Sequence, residues 1–179
     1  MKRAAGFNLL ELMITVAILA IVMTVAFSFD GNLLERNRAE SFLKELQRNV
    51  AFARIKATAA DEIVILCPAP ARNIVARNSF TCQNDWSSNR ISVFVDRNNN
   101  GSFNDDEDTL HRTMEVVDGN DQLTFSGDNR LRFDSSGLLS DSAAGEFIYC
   151  PGNNNNNQQL SISQAGTALY RGDTDTTCG

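Results

Sequence analysis

Proline is scarce in this chain: three among 179 residues, and none before Pro68. Every backbone N–H of that opening third is therefore available, and nothing in it forbids a continuous helix. Histidine is rarer still, with His111 alone, and the four cysteines, Cys67, Cys82, Cys150 and Cys178, include no C-x-x-C pair. These scarcities remove the usual zinc ligand sets and the thioredoxin-type redox motif. Disulfides in an oxidising compartment remain as the reading of the cysteines, with three connectivities open. Positive charge is also short, 16 Lys and Arg against 22 Asp and Glu, for a formal net charge of −6. Broad nucleic-acid binding rests on neutralising phosphates and is not expected of such a surface. No nucleophile–base pair can be argued around His111, which reads as structural or exposed. The carboxylates from Asp105 to Asp108 read as solvated rather than paired in a cleft. The chain is not expected to be an enzyme.

What is present begins with an apolar run over residues 7–29, interrupted only by Asn8, Glu11, Thr15, Thr24 and Ser28. Roughly 23 residues of helix at about 1.5 Å each reach roughly 35 Å, enough to cross a bilayer with some tilt. Lys2 and Arg3 ahead of the run keep that end cytoplasmic and place the remainder outside the cytoplasm. An ordinary secretory signal has a small-residue cleavage site after its apolar core. Here the small-residue break, Ala4-Ala5-Gly6, comes before it, so cleavage there keeps the apolar segment on the mature chain. Glu11 is the anomaly, because an acid at mid-bilayer costs on the order of 3 kcal/mol on insertion scales. Enclosed among apolar helices it needs a positive partner or a proton.

After the run, Asp30-Gly31-Asn32 has poor helix propensity and offers a flexible point at Gly31. The helix is expected to resume to about Ala60, with Phe42, Leu46, Val50, Ala53 and Ala57 as an apolar stripe at three- and four-residue spacing. That half is amphipathic and should pack on a globular head; the charges near Arg36 form its solvated face. From Glu62 the periodicity turns strand-like. Strands are expected at Ile63–Leu66, Ile91–Val95, Leu110–Val117, Leu131–Phe133, Phe147–Tyr149 and Leu160–Ile162. One long helix followed by short strands predicts an α+β fold, the helix lying across antiparallel sheet. The polar tract from Gly152 to Gln159 reads as an exposed loop.

Asp96 to Glu107 fits D-x-[DN]-x-[DN]-G-x5-E, with Asp96, Asn98, Asn100, Ser102 and Glu107 at calcium-ligand positions and Gly101 at the sharp turn. The same residues also suit a polar β-hairpin tip, where Asn-Asn-Gly is good turn chemistry. Neutral Asn at two ligand positions would weaken a calcium site.

The run KRAAGFNLLELMITVAILAIV resembles the N-terminal signature of type IV pilins and type II secretion pseudopilins: a basic leader, Gly, an aromatic, then Glu fifth in the mature chain. The resemblance implies a pilin-like fold in four parts. Residues 1–6 would be a prepilin leader, 7–29 a transmembrane and assembly helix, 30–60 its amphipathic half and 61–179 a disulfide-bonded β-rich head. It implies cleavage between Gly6 and Phe7 by prepilin peptidase, N-methylation of Phe7, and a subunit-assembly role for Glu11 opposite a neighbour's Phe7 amine. Partners would be other minor and major pilins through the N-terminal helix, and the inner-membrane assembly machinery. The chain would sit in the inner membrane by a single pass with a periplasmic head, then in an extracellular pilus.

In the head, LCPAP, Trp86, VFVDRNNNG and the segments Phe147–Cys150 and Ser161–Gly166 resemble GspH/FimT-like minor pilins and pseudopilins. That resemblance implies Cys67–Cys82 and Cys150–Cys178 bridges. The function it implies is a minor pilin that primes assembly at or near a filament tip, or alternatively a GspH-like minor pseudopilin of type II secretion. Some FimT-like relatives bind DNA through G-R-x-R. The matching stretch here, Gly166-Thr167-Ala168-Leu169, lacks both arginines, so a DNA-uptake role is not carried over, and Arg130, Arg132 and Arg171 read as a strand's solvent face.

Overall fold

The computed structural model describes residues 8–27, 30–152 and 155–178, the side chains of 25–27 and 30–32 excepted. Two helices come first, α1 (Leu9–Phe27) and α2 (Asp30–Ala60). Gly31 lies inside the first turn of α2. The head follows as β1 (Val64–Ala69), α3 (Ala71–Ala76), β2 (Phe80–Thr81), β3 (Arg90–Val95), β4 (Ser102–Phe103), β5 (Thr109–Thr113), β6 (Gln122–Phe125), β7 (Leu131–Phe133), β8 (Gly145–Cys150), β9 (Gln158–Ile162) and β10 (Ala168–Asp173). Two four-stranded sheets run β5-β3-β1-β7 and β10-β9-β8-β6, and β2 pairs with β4 in a third, small one. All the pairings are antiparallel. The fold is α+β, a long helix laid across antiparallel sheet.

The buried line of α2 is Ala39, Leu43, Leu46, Val50, Ala53 and Ala57, alternating steps of four and three. Leu43, not Phe42, occupies that line; Phe42 packs at its margin with its ring 5.3 Å from that of Tyr149. Against the line come Val64, Leu66, Val93 and Val95 from one sheet and Leu123, Phe147, Tyr149 and Leu160 from the other. Each large apolar side chain so buried contributes about 1.5–3 kcal/mol. The alternate residues of β1 and β3, Ile65, Cys67 and Phe94, face the opposite way into a second cluster with Ile74, Phe80 and Phe103. Both faces of these two strands are covered, so they read as continuous apolar runs rather than alternating ones.

Three expectations need correction. The strand predicted to Val117 ends at Thr113, after a register shift at Val93/Phe94, although Met114 N–H still donates to Ile91 O at 2.7 Å. The polar tract is not simply a loop: Gln158 and Gln159 are in β9, and Asn157 and Gln158 are buried. Asn157 there donates to Thr176 O at 3.0 Å, and the Gln158 amide bonds Asp173. Third, Arg130 and Arg132 do not simply face solvent. Arg132 bonds Ser140 Oγ and Asn99 Oδ1, each at 2.5 Å, and Arg130 donates to Gly101 O at 3.2 Å.

Helix and head are pinned by a carboxylate 83 positions from its partner. Arg38 donates to both oxygens of Asp121, at 2.6 and 2.8 Å. The same carboxylate accepts Tyr149 O–H at 2.6 Å and Gly152 N–H at 3.0 Å. Its side chain is 1% exposed, so the charge is paid for entirely by these donors. Burial, then the bond to Asp121, holds the Tyr149 hydroxyl far above its ordinary titration range.

Removing one partner of a buried pair costs about 3–5 kcal/mol. The Arg38 side chain is 39% exposed, so water would replace part of what it supplies. Arg38→Ala is expected to destabilise the chain by about 2–3 kcal/mol in denaturant unfolding. Because the folded pKa of Tyr149 lies above the unfolded value of about 10, its contribution is complete below that pH and is lost as pH rises beyond it. Wild type should lose stability in alkaline titration above about pH 10; Tyr149→Phe should flatten that loss, leaving only the share of Tyr170, which burial also raises.

Candidate functional site

The apolar helix α1 starts from Asn8. Its carbonyl accepts Glu11 N–H at 2.9 Å and Leu12 N–H at 3.2 Å, and its side-chain oxygen lies 3.5 Å from Leu10 N. Asn at the cap with Glu three residues on is the order of a capping box. Glu11 thus stands in the first turn, where the helix dipole favours negative charge. The hydroxyls of Thr15 and Thr24 donate back to Leu12 O and Ile21 O at 2.9 and 2.8 Å, so their polarity is absorbed within the helix.

From Leu9, 74% exposed, to Met23, 59%, the large apolar side chains of α1 stand in the open on every side. A helix apolar all round belongs in lipid or among other helices. Among the described residues no helix is long and apolar enough to cross a membrane. The predicted run covers 7–29, and Phe7, Ser28 and Phe29 lie outside the described residues, as does the Gly6–Phe7 junction with the methylation position at Phe7. Among the described residues no cation pairs with the Glu11 carboxylate.

The cysteines join as Cys67–Cys82 and Cys150–Cys178, with Cα atoms 5.6 and 6.1 Å apart. The first ties β1 to the segment after β2. The second anchors the C-terminal segment to β8, next to the turn that carries the buried Asp121.

The segment from Asp96 to Asp108 joins β3 to β5 and places its predicted ligands side by side, Asp96 Oδ1 and Asn98 Oδ1 both accepting Asn100 N–H at 3.1 Å. Asp96 is buried, and its two oxygens accept the N–H groups of Asn100 and Gly101 at 3.1 and 2.9 Å. The Asn98 amide bonds Glu107, and Asn100 Oδ1 accepts Ser102 N–H at 2.8 Å. Asp108, expected to be solvated with the other carboxylates from Asp105, is instead the loop's second buried carboxylate and accepts Arg97 N–H and Asn104 N–H at 2.9 and 2.8 Å. Gly101 has φ +77°, and a Cβ there would lie 2.6 Å from the Arg130 guanidinium that covers it. Among the described residues no group of three or more His, Cys, Asp or Glu side chains is placed to hold a metal. The pattern builds a loop on two buried carboxylates that cap backbone amides. His111 is exposed on β5, edge-on to Phe52 at 5.9 Å, and partial desolvation, then the positive charge of Lys56, lowers its pKa. Gly166–Leu169 forms the β9–β10 turn and the start of β10, and Arg171 donates to Ser161 Oγ at 3.1 Å.

Asp96→Ala, which strands two amides, is expected to cost about 2–3 kcal/mol. Millimolar calcium is expected to leave the thermal midpoint of the wild-type chain unchanged; a rise in that midpoint would support the metal reading.

The sequence model of the family described as Type II transport protein GspH matches residues 43–166, and that of the prokaryotic N-terminal methylation motif matches residues 1–27. No curated protein matches the chain in sequence. Among solved structures, the type IV minor pilin FimU of Pseudomonas aeruginosa is similar with TM-score 0.55 and 21% identity, over 78% of this chain and 92% of that one. The minor pseudopilin EpsH of the Vibrio cholerae type 2 secretion system is similar with TM-score 0.52 and 11% identity, over 75% and 97%. At these identities the likeness carries the fold. The family match covers well over half of the chain, which therefore belongs to the GspH family, as a structural pilin or pseudopilin subunit and not an enzyme.

Proposed function

We propose that this chain is a minor subunit of a type IV pilus, cut between Gly6 and Phe7 by prepilin peptidase, methylated on Phe7, and incorporated at or near the filament tip to prime assembly. The observation that carries the reading is α1: a helix exposed and apolar on all sides, with one carboxylate, Glu11, in its first turn. Before assembly the bilayer would cover that surface, with the head on the periplasmic side, and afterwards the helices of neighbouring subunits would. The second environment is the drier one for Glu11, because near a helix end in the bilayer water and headgroups are in reach. Its partner there is the Phe7 amine of a neighbouring subunit, a cation that exists only once the leader is removed. A buried ion pair of this kind fixes register between helices, its best-attested use.

The matched methylation motif over residues 1–27 supports processing at this junction. Two disulfides suit a subunit that ends outside the cell. The description of the matched family, a type II transport protein, favours a second reading, a minor pseudopilin of a type II secretion system. A deletion strain scored for both surface pili and protein secretion separates the two. Lost pili with intact secretion supports the first; the reverse overturns it.

Glu11→Ala is expected to leave membrane insertion and leader cleavage intact while incorporation falls about tenfold or more, the effect of losing roughly 1.4 kcal/mol of intersubunit binding. Immunoblots of membranes and of sheared filaments measure the two quantities side by side. Wild-type incorporation of the mutant would dismiss the ion pair.

A further inference from the structure

Three dipeptides of this chain place glycine after an acid or its amide: Asp30-Gly31, Asn100-Gly101 and Asp118-Gly119. At such a pair the glycine nitrogen can attack the side-chain carbonyl carbon before it, because no Cβ stands in the way. The product is a five-membered imide, which water reopens to aspartate or to isoaspartate. The attack needs the nitrogen held close to the carbonyl and aligned with it. The folded chain meets that need at one of the three pairs.

Asp30-Gly31 opens α2, where a helical ψ of about −42° turns each nitrogen out of line with the side chain before it. Asn100-Gly101, the most reactive of the pairs in an unfolded chain, is locked. Gly101 N–H donates to Asp96 Oδ2 at 2.9 Å, Asn100 Oδ1 accepts Ser102 N–H at 2.8 Å, and Asn100 Nδ2 donates to Asn104 Oδ1 at 2.6 Å. Nucleophile, carbonyl and leaving group are all held by other residues. Asp118-Gly119 is the reverse case. Gly119 N–H donates to Oδ1 of the adjoining Asp118 at 2.7 Å, so nitrogen and carboxyl already face each other. The Asp118 side chain is 62% exposed, Gly119 is exposed, and a Cβ on Gly119 would meet nothing within 4 Å. Water therefore reaches the site both to protonate the carboxyl and to reopen the imide.

We propose that Asp118 is a site of spontaneous isoaspartate formation in the folded chain, and that this modification releases the pin between helix and head. With the carboxyl protonated, Gly119 N bonds to Asp118 Cγ and gives up its proton, and the Oδ–H group leaves with that proton as water. A second water then cleaves one of the two imide C–N bonds. Cleavage at the former main-chain carbonyl leaves the chain running through Cβ and Cγ, one carbon longer. The Asp118 carbonyl, which accepts Asp121 N–H at 2.7 Å and closes the turn, then belongs to a carboxylate off the main chain. The carboxylate that stood 3.4 Å from Arg38 Nη1 has become a main-chain amide. Three residues on, Asp121 is buried and relies on donors from Arg38, Tyr149 and Gly152 together, and a lengthened turn no longer presents it to all of them. The chemistry needs only the folded head and water.

The test holds the full chain, purified in detergent, at neutral pH below its thermal midpoint, and in parallel in urea. Peptide mapping with electron-transfer fragmentation and isoaspartyl methyltransferase labelling locates the product. In the folded chain isoaspartate is expected to accumulate first at Asp118. In urea the order should invert, with Asn100 leading, because only the fold restrains it. Gly119→Ala, whose added methyl group has room, should slow formation at Asp118 about tenfold or more by hindering the attack. Its unfolding midpoint should stay close to that of wild type. Asp118→Glu should abolish the product, since ring closure then takes one more atom. The isomerised fraction, separated by chromatography, is expected to unfold at a lower urea midpoint than the unmodified chain. First accumulation at Asn100 or Asp30 in the folded chain, or none at Asp118, would overturn the site. An unchanged midpoint in the isomerised fraction would overturn the release of the pin.

Discussion

One helix face holds the head together. The line from Ala39 to Ala57 supplies apolar side chains to both four-stranded sheets at once, and neither sheet covers its inner face without it. A strand pair is marginal in water unless a third strand or a helix covers its apolar side. Here a single helix does this for two sheets that share no strand, so the position of α2 sets the positions of both. The remaining features of the head act as constraints on that helix. Arg38 and Asp121 fix its lower part, and the turn at Gly137, against Thr58, fixes its upper part.

The division between α1 and α2 follows from the same requirement. The spacing of four and three in α2 leaves a charged outward face, whereas α1 has no polar face at all. The two helices therefore face different surroundings. α2 satisfies its apolar side within the chain, and α1 must find apolar surroundings elsewhere. Because α2 is held rigidly by both sheets, its outward face keeps a fixed relation to the head surface beside it.

Much of this was legible in the sequence where apolar residues are dense. The end of α2 at Ala60, the central strands β1 and β3, and β8 and β9 each carry runs that only burial explains. The edge strands were harder to see. β6 is four residues with exposed Gln122 at its start, and β10 alternates half-buried and exposed residues around a register shift. Neither has the continuous apolar signal of a covered strand, because neither is covered on both faces. Phe42 was placed on the buried stripe in preference to Leu43 because both fit a three-or-four spacing; only the sheets decide between them. Asp121 was invisible for another reason. Gly119-Asn120-Asp121 reads as turn chemistry, and its partner lies 83 residues away, beyond any local pattern. Calcium loops and amide-capping loops use the same chemistry, oxygen-bearing side chains at alternate positions around a glycine turn, so the sequence of the Asp96 loop does not choose between them. In the folded loop backbone amides donate to both buried carboxylates.

That last point bears on Glu11. The head shows how this chain treats a carboxylate removed from water. Asp121 has a guanidinium, a phenol and an amide; Asp96 and Asp108 each have two amides. In each case the donors come from within the chain and were fixed when it folded. Glu11 sits on a helix whose other side chains can only be stable when covered, yet among the described residues no cation pairs with it. Covering α1 without supplying a donor would leave the one buried acid of the chain without compensation, and the cost would fall on assembly rather than on folding. The donor proposed on the next subunit would reverse that sign: it would make the covered state favourable only when subunits align in register. A plain anchor would have no use for such a residue, whereas a subunit that had to find its place among others would.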